Sequence, residues 1–344
     1  MLQQILTISR NTFLESIRQP IFVVLLIVFG LALFLNPSLS ANTLDDDNKL
    51  MVAMGMSTLF LAGLFMAAFT ATGVLASEIE NKTVLTVVSK PVSRPLFVLG
   101  KYFGVAGALG LAFWILGCLF ILTVRHRVMQ TASDEFDGPV IVFGLLCWLL
   151  ALTWAGWGNY FHRWVFSSTF VWSLAGLSTL AVLLVLMIDK HWQFQSITAE
   201  FARTENAALP GGEMLVVMVL LFEAILMLTA VAIAASTRLG QIMTLVICTG
   251  VFVLGLTSEI LLAPVVQQTT WSQAQGLGGW SAWGLPRILY WGVPNFQFLW
   301  LSEALQRGIP IPLSHVLTVS LYALLVITAV LSLAVILFQE REVS

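Results

Sequence analysis

Few side chains in this sequence have the chemistry to act on a bound molecule, and their spacing narrows the choice further. His126, His162, His191 and His315 fall in separate loops and helix ends, and no two have the spacing of metal ligands. Cys118, Cys147 and Cys248 each sit inside an apolar run. They are too few and too dispersed for a disulfide framework or a thiolate metal site, and read as buried, inert thiols. Gly100-Lys101 has the end of a phosphate-binding loop but not the upstream glycine of G-x-x-x-x-G-K-[ST]. No H-E-x-x-H, no Ser/His pair in adjacent turns and no paired acids within an apolar run are present, so no catalytic cluster converges. Two features remain. Glu223, in Leu221-Phe222-Glu223-Ala224-Ile225, lies in the middle of an apolar run, either as a working group or as a hydrogen-bonded packing residue. The segment 77–101 gathers Glu78, Glu80, Lys82, Lys90, Arg94 and Lys101 around an apolar stretch, a pattern suited to holding another protein.

The elements that must position these residues follow from composition. The 344 residues are 58% hydrophobic and 10% charged, against about 25% charged in an ordinary soluble domain. Runs without Asp, Glu, Lys or Arg cover 19–44, 50–77, 102–124, 138–162, 164–188, 239–258 and 308–339, and 214–237 carries Glu223 alone. A spanning helix needs about 20 mostly apolar residues, so the chain reads as one all-α, polytopic membrane bundle of about eight helices. Residues 1–19 place Leu2, Ile5, Leu6, Ser9, Phe13 and Ile17 on one side, an amphipathic helix suited to the membrane interface. The first span is expected over 20–36, closed by Asn36-Pro37. Ser38-Leu39-Ser40-Ala41 has the small-residue form of a signal cleavage site, but the long amphipathic segment before Ile21 favours a retained span. Spans four and five, within 139–188, form a hairpin around 159–164. The stretch 263–312, rich in Trp, Pro, Gly and Gln, is too broken for a simple helix. Tryptophans near 148–172 and 271–300 suit interfacial belts, with ligand stacking as the other reading.

Eight spans put both termini on one side, with 77–101 and the turns 159–164 and 236–241. That side holds nine of the 16 Lys and Arg residues in far fewer loop residues than the other seven, which points to the cytoplasm. A net charge of −2 gives no basic surface for nucleic acid.

Within 77–101, Val84, Val87, Val88 and Pro91 fall at i, i+3, i+4 and i+7, the spacing of one helical face. Glu78 and Glu80 come first and Lys90 and Arg94 last, as the helix dipole favours. Such a helix either docks its apolar face in a partner's groove or merely lies at the interface with its lysines snorkelling.

The order Glu80, Thr83, Leu85, Pro91, Arg94, Gly100, Lys101 resembles the coupling-helix region of type II ATP-binding-cassette (ABC) exporter permeases. Thr12-Phe13-Leu14-Glu15-Ser16-Ile17-Arg18 is similar to that family's connecting helix. Ser236–Gln241 looks like its turn before the penultimate span, and Phe338-Gln339-Glu340-Arg341-Glu342 like its ending. The resemblance touches both ends and the middle of the chain. It departs from the family in having Lys82 where glycine is usual, and in a 139–188 hairpin added to a six-helix core. What it implies is a transport subunit of the cytoplasmic (inner) membrane rather than an enzyme, with both termini cytoplasmic. A separate ABC ATPase subunit would bind ATP and Mg²⁺, and this chain would hold no cofactor of its own. The ATPase would couple through Glu78, Glu80, Thr83, Val84, Leu85, Val87, Val88, Pro91 and Arg94. A second permease, identical or homologous, would complete the pore among membrane lipids, and 263–312 would form extracellular re-entrant helices. The competing readings are a membrane-embedded enzyme and a secondary transporter working without an ATPase.

Overall fold

A computed structural model of the chain describes residues 2–41, 47–80, 93–129, 135–196, 211–268 and 279–339. These form α1 (Leu2–Arg18), α2 (Pro20–Ser40), α3 (Asp47–Glu80), α4 (Arg94–His126), α5 (Gly138–His162) and α6 (Phe166–Met187). There follow α7 (Gly211–Ser236), α8 (Gln241–Leu261), α9 (Ala263–Gln268), α10 (Trp280–Gly292), α11 (Ser302–Gln306) and α12 (Leu313–Gln339). Eight of them, α2 to α8 and α12, are long and apolar enough to cross a membrane. The only β-type pairing among the described residues is a bridge between Ile188 and Phe194. The protein is an all-α, multi-span helical membrane protein.

α7 is the central post and packs against α3, α4, α8 and α12. About 72% of its span is buried inside the protein, against 17% for α12. Small residues make the central approach close, as packing in lipid requires. At Gly63 of α3 an added Cβ would lie 2.4 Å from Cδ1 of Ile225 in α7. The apolar residues exposed along α8 and α12, such as Leu317 and Leu324, belong on the lipid side, where apolar exposure costs nothing.

Two elements run past the boundaries expected from sequence. α2 continues through Pro37 to Ser40 instead of ending at Asn36. A proline inside a helix frees the carbonyl four residues earlier, and here the Thr123 hydroxyl, 2.9 Å from Leu119 O of its own helix, also reaches that carbonyl, Leu33 O, at 3.3 Å. One residue before the proline, Asn36 ties α2 to α3 by donating to Met51 O at 2.8 Å. α3 likewise runs on to Glu80, because no proline or glycine interrupts 74–80. Ser77–Glu80 therefore form the last turn of α3, beyond the span Asp47–Val74.

The surface of α1 also differs from its sequence pattern. Thr12, Ser16 and Ile17 are buried, whereas Leu2 and Leu6 are exposed. The reason lies in α4, whose Gly100 and Gly104 leave room for small side chains and close backbone approach. A Cβ on Gly104 would come within 2.4 Å of Thr12 Cβ and 2.7 Å of Ser9 O.

The α5–α6 hairpin is clamped at both ends. At the end away from the termini, Arg125 pairs with Asp137 (Nε–Oδ2 3.2 Å) and donates to Ile188 O at 2.6 Å. This ties the top of α4 to the start of α5 and the end of α6. Asp137 also caps α5, accepting from Val140 N at 3.3 Å. At the other end Ser167 Oγ donates to Arg18 O at 3.0 Å. Arg125→Met is expected to destabilise the protein by about 2–4 kcal/mol by stranding a largely buried carboxylate. Adding Asp137→Asn, which keeps the cap acceptor, should recover part of the loss in thermal unfolding in detergent micelles.

Candidate functional site

The residues singled out by sequence separate into a terminal face, an intramembrane acid and a folded-in segment at the opposite end. The terminal face carries α1, the end of α3, the start of α4, the α5–α6 and α7–α8 turns and the end of α12.

α1 lies across the base of α4 on the glycine seats at 100 and 104, with Ile8 over the first and Thr12 over the second. Lys101, next in line, is buried, and its Nζ sits 3.8 Å from Glu15 Oε2 of α1. The same ammonium lies 5.5 Å from the centre of the Phe97 ring, an attractive cation–π geometry. Phe97 in turn stacks on Phe338 at 5.5 Å. Beside Phe338, Arg238 of the α7–α8 turn donates from Nε to Leu337 O at 3.0 Å. A continuous row of contacts thus runs from α1 through the base of α4 to the ends of α7 and α12. At the elbow between α1 and α2 a cavity of about 530 Å³ opens among Asn11, Leu14, Glu15, Arg18, Gln19 and Pro20.

Of the proposed coupling residues, Glu78 and Glu80 lie in the last turn of α3 and Arg94 is the first residue of α4. Thr83, Val84, Leu85, Val87, Val88 and Pro91 lie outside the described residues. Of the two helices that bracket them, α4 carries Phe97 and Lys101 of this row, and α3 reaches the elbow between α1 and α2, where Gly73 lies against Gln19. The Glu15–Lys101 pair joins positions 86 residues apart and is absent from any local pattern. Its one sequence signal is Gly100 and Gly104 repeating at helical spacing beside the lysine.

Glu223 sits halfway along α7 and accepts from Ser320 Oγ of α12 at 2.8 Å. Its second oxygen is buried without a hydrogen-bond partner. Phe222 beside it packs against Phe113, ring centres 5.2 Å apart. Ser320 has no distinguishing sequence feature in its apolar run, so only the fold identifies it as the partner.

At the opposite end, residues 293–301 leave helical form and fold in against α8. Phe296 and Leu299 are buried, and Phe60 of α3 packs on Phe252 at 4.4 Å and on Trp300 at 5.5 Å. Irregular backbone at such depth must be satisfied by protein. Phe296 N donates to Gly255 O at 3.3 Å, Asn295 N to the Tyr322 hydroxyl at 2.7 Å and Gln297 N to Asn295 Oδ1 at 2.8 Å. Gly255 is required there, since a Cβ would meet Pro294 O at 2.1 Å. Glu259 accepts from Tyr290 at 3.1 Å and from Asn295 at 3.0 Å, locking the segment to α8 and α10. Glu259 is thus a structural acceptor.

Among the described residues no three of His, Cys, Asp and Glu come together closely enough to hold a metal ion. Cys118, Cys147 and Cys248 are free and buried.

No protein-family model matches this chain, and no characterised protein or solved structure matches it either.

Two outcomes are expected from this geometry. Gly104→Leu should lift α1 from α4 and raise amide hydrogen exchange across residues 2–18 by about tenfold or more. Gly156→Leu, with nothing within 4 Å of its Cβ, should leave that exchange unchanged. Glu223→Gln, whose amide oxygen still accepts from Ser320, should shift stability by less than about 1 kcal/mol, whereas Glu223→Leu strands the Ser320 hydroxyl and costs about 1 kcal/mol more in detergent unfolding.

Proposed function

We propose that this protein is the membrane-spanning permease subunit of an ABC exporter, driven by ATP hydrolysed on a separate subunit. The observation that supports the reading is the convergence of four of the resembling segments on one face. The connecting-type helix α1, the start of α4 with Gly100-Lys101, the α7–α8 turn and Phe338 join in one row of contacts. In sequence they are scattered over more than 300 residues.

The arrangement suits a mechanical coupling. A partner pressing on 79–94 would act on the ends of α3 and α4 together. α4 would pass the movement to α1 through the glycine seats and the Glu15–Lys101 pair, and to α12 through Phe97 and Phe338. Rigid-body rearrangement of packed helices is how bistable cores amplify small displacements. In this reading the terminal face is cytoplasmic and the membrane is the cytoplasmic one. Two permeases and two ATPases form the working assembly. The α5–α6 hairpin is an addition to a six-helix core, and segment 263–312 lies on the outer side. ATP and Mg²⁺ belong to the partner, and the cargo is a separate question from the coupling.

Purification of the intact chain from its native membrane is expected to bring an ATPase with it, while the chain alone binds no ATP. Glu80→Lys and Arg94→Glu should each weaken the permease's effect on ATPase rate by about tenfold or more, as reversal of a contact charge does. Co-purification without any ATPase, or full coupling in both variants, would sink the proposal.

A further inference from the structure

The α5–α6 hairpin carries a feature that coupling does not use. A groove of about 730 Å³ runs between the two helices. Leu150, Trp154 and Trp157 line it from α5, and Trp172, Gly176 and Leu180 from α6. On each helix these follow the i, i+4, i+7 or i+8 spacing of one face. All five larger residues are exposed by more than a third of their surface, so the groove opens outward from the bundle rather than into a core.

Its chemistry selects a hydrocarbon. The two hydroxyls on its walls are already used, Thr153 donating to Leu149 O at 2.9 Å and Ser173 to Thr169 O at 2.8 Å. What remains is indole and leucine surface around the open floor at Gly176, where an added Cβ would meet nothing within 4 Å. Its orientation selects a chain standing in one leaflet. From Trp157, near the terminal-face end of α5, to Leu150 is about 10 Å of helix, and from Trp172 to Leu180 about 12 Å. That covers most of the roughly 15 Å of hydrocarbon in one leaflet.

The mouth selects charge. Trp157 packs on His162 at 4.6 Å and on Trp164 at 6.4 Å, an aromatic collar of the kind that sits at headgroup level. Just beyond it Arg163 closes α5 in the left-handed conformation, φ 56°, and its side chain is exposed. Arg163 is the only Asp, Glu, Lys or Arg between 138 and 188. Exposed Arg18 ends α1 at the same level, its carbonyl bonded to Ser167. Arg163 therefore puts the hairpin's one charge, a cation, at this end of the groove.

We infer that this groove is a binding site for one anionic phospholipid, with an acyl chain between α5 and α6 and the headgroup at Arg163. The inference needs only a hairpin that stands in the membrane and is independent of any ATPase partner. A bare aromatic belt would solvate every lipid alike; the filled groove discriminates by charge and by shape.

Native mass spectrometry of the full chain, titrated with phosphatidylglycerol and phosphatidylcholine of identical acyl chains, tests this. The wild-type chain is expected to retain one phosphatidylglycerol about fivefold more firmly than phosphatidylcholine, the worth of one basic residue near an anionic headgroup. Arg163→Asn, which tolerates the left-handed backbone, should erase the preference while leaving the chain folded. Gly176→Leu fills the floor without a clash and should lower retention of both lipids by about tenfold. Equal retention of the two lipids by the wild-type chain would overturn the inference, as would undiminished retention in Gly176→Leu.

Discussion

Hydrocarbon offers no hydrogen bonds, and that single constraint organises the whole molecule. A polar group left unmade inside lipid costs several kcal/mol, so most of those in the spans find a partner in the chain, the second oxygen of Glu223 being an exception. The hydroxyls do so locally: Thr58, Thr72, Thr229 and Thr328 each donate to the carbonyl four residues back. Where local repair fails, the fold supplies a distant partner. Thr123 serves the carbonyl freed by Pro37, and Ser320 serves Glu223.

The same constraint explains how an irregular segment can enter the bundle. Residues 293–301 are tolerated because α8 gives them Gly255 O and Leu256 O, α12 gives the Tyr322 hydroxyl, and Glu259 gathers two donors. The aromatic stack of Phe60, Phe252, Phe296 and Trp300 then fills the space around it. At the terminal face the problem is reversed, since a cation must be held where a helix enters the membrane. Burial of Lys101 is made bearable by Glu15, by the Phe97 ring and by the glycines that let α1 come close enough to bring them. The contacts that keep α1 in place thus tie it to α4, the helix that follows 81–92.

The hairpin stands apart from this logic. It joins the bundle through Arg125 at one end and Ser167 at the other, with α6 lying along α4 and the groove face left outward. An element held by its ends and open along its face is suited to contact with lipid, and its single charge, Arg163, closes α5 at the turn.

The all-α architecture and its eight apolar spans were legible in the sequence, though not the ends of every span. Each depends on local composition and on the thickness of a bilayer, which act within one stretch of about 20 residues. Segment 77–101 and Glu223 stand out in the sequence for the same reason, as charge against an apolar background. Which residues meet was not legible. The face α1 buries is set by Gly100 and Gly104 on another helix, the run of α2 through Pro37 by a threonine 86 residues away, and the partner of Glu223 by an unremarkable serine. In lipid, hydrophobicity cannot choose between helix faces, because the surrounding medium is as apolar as the core; close packing and hydrogen bonds between distant residues make that choice, and those exist only once the helices have come together.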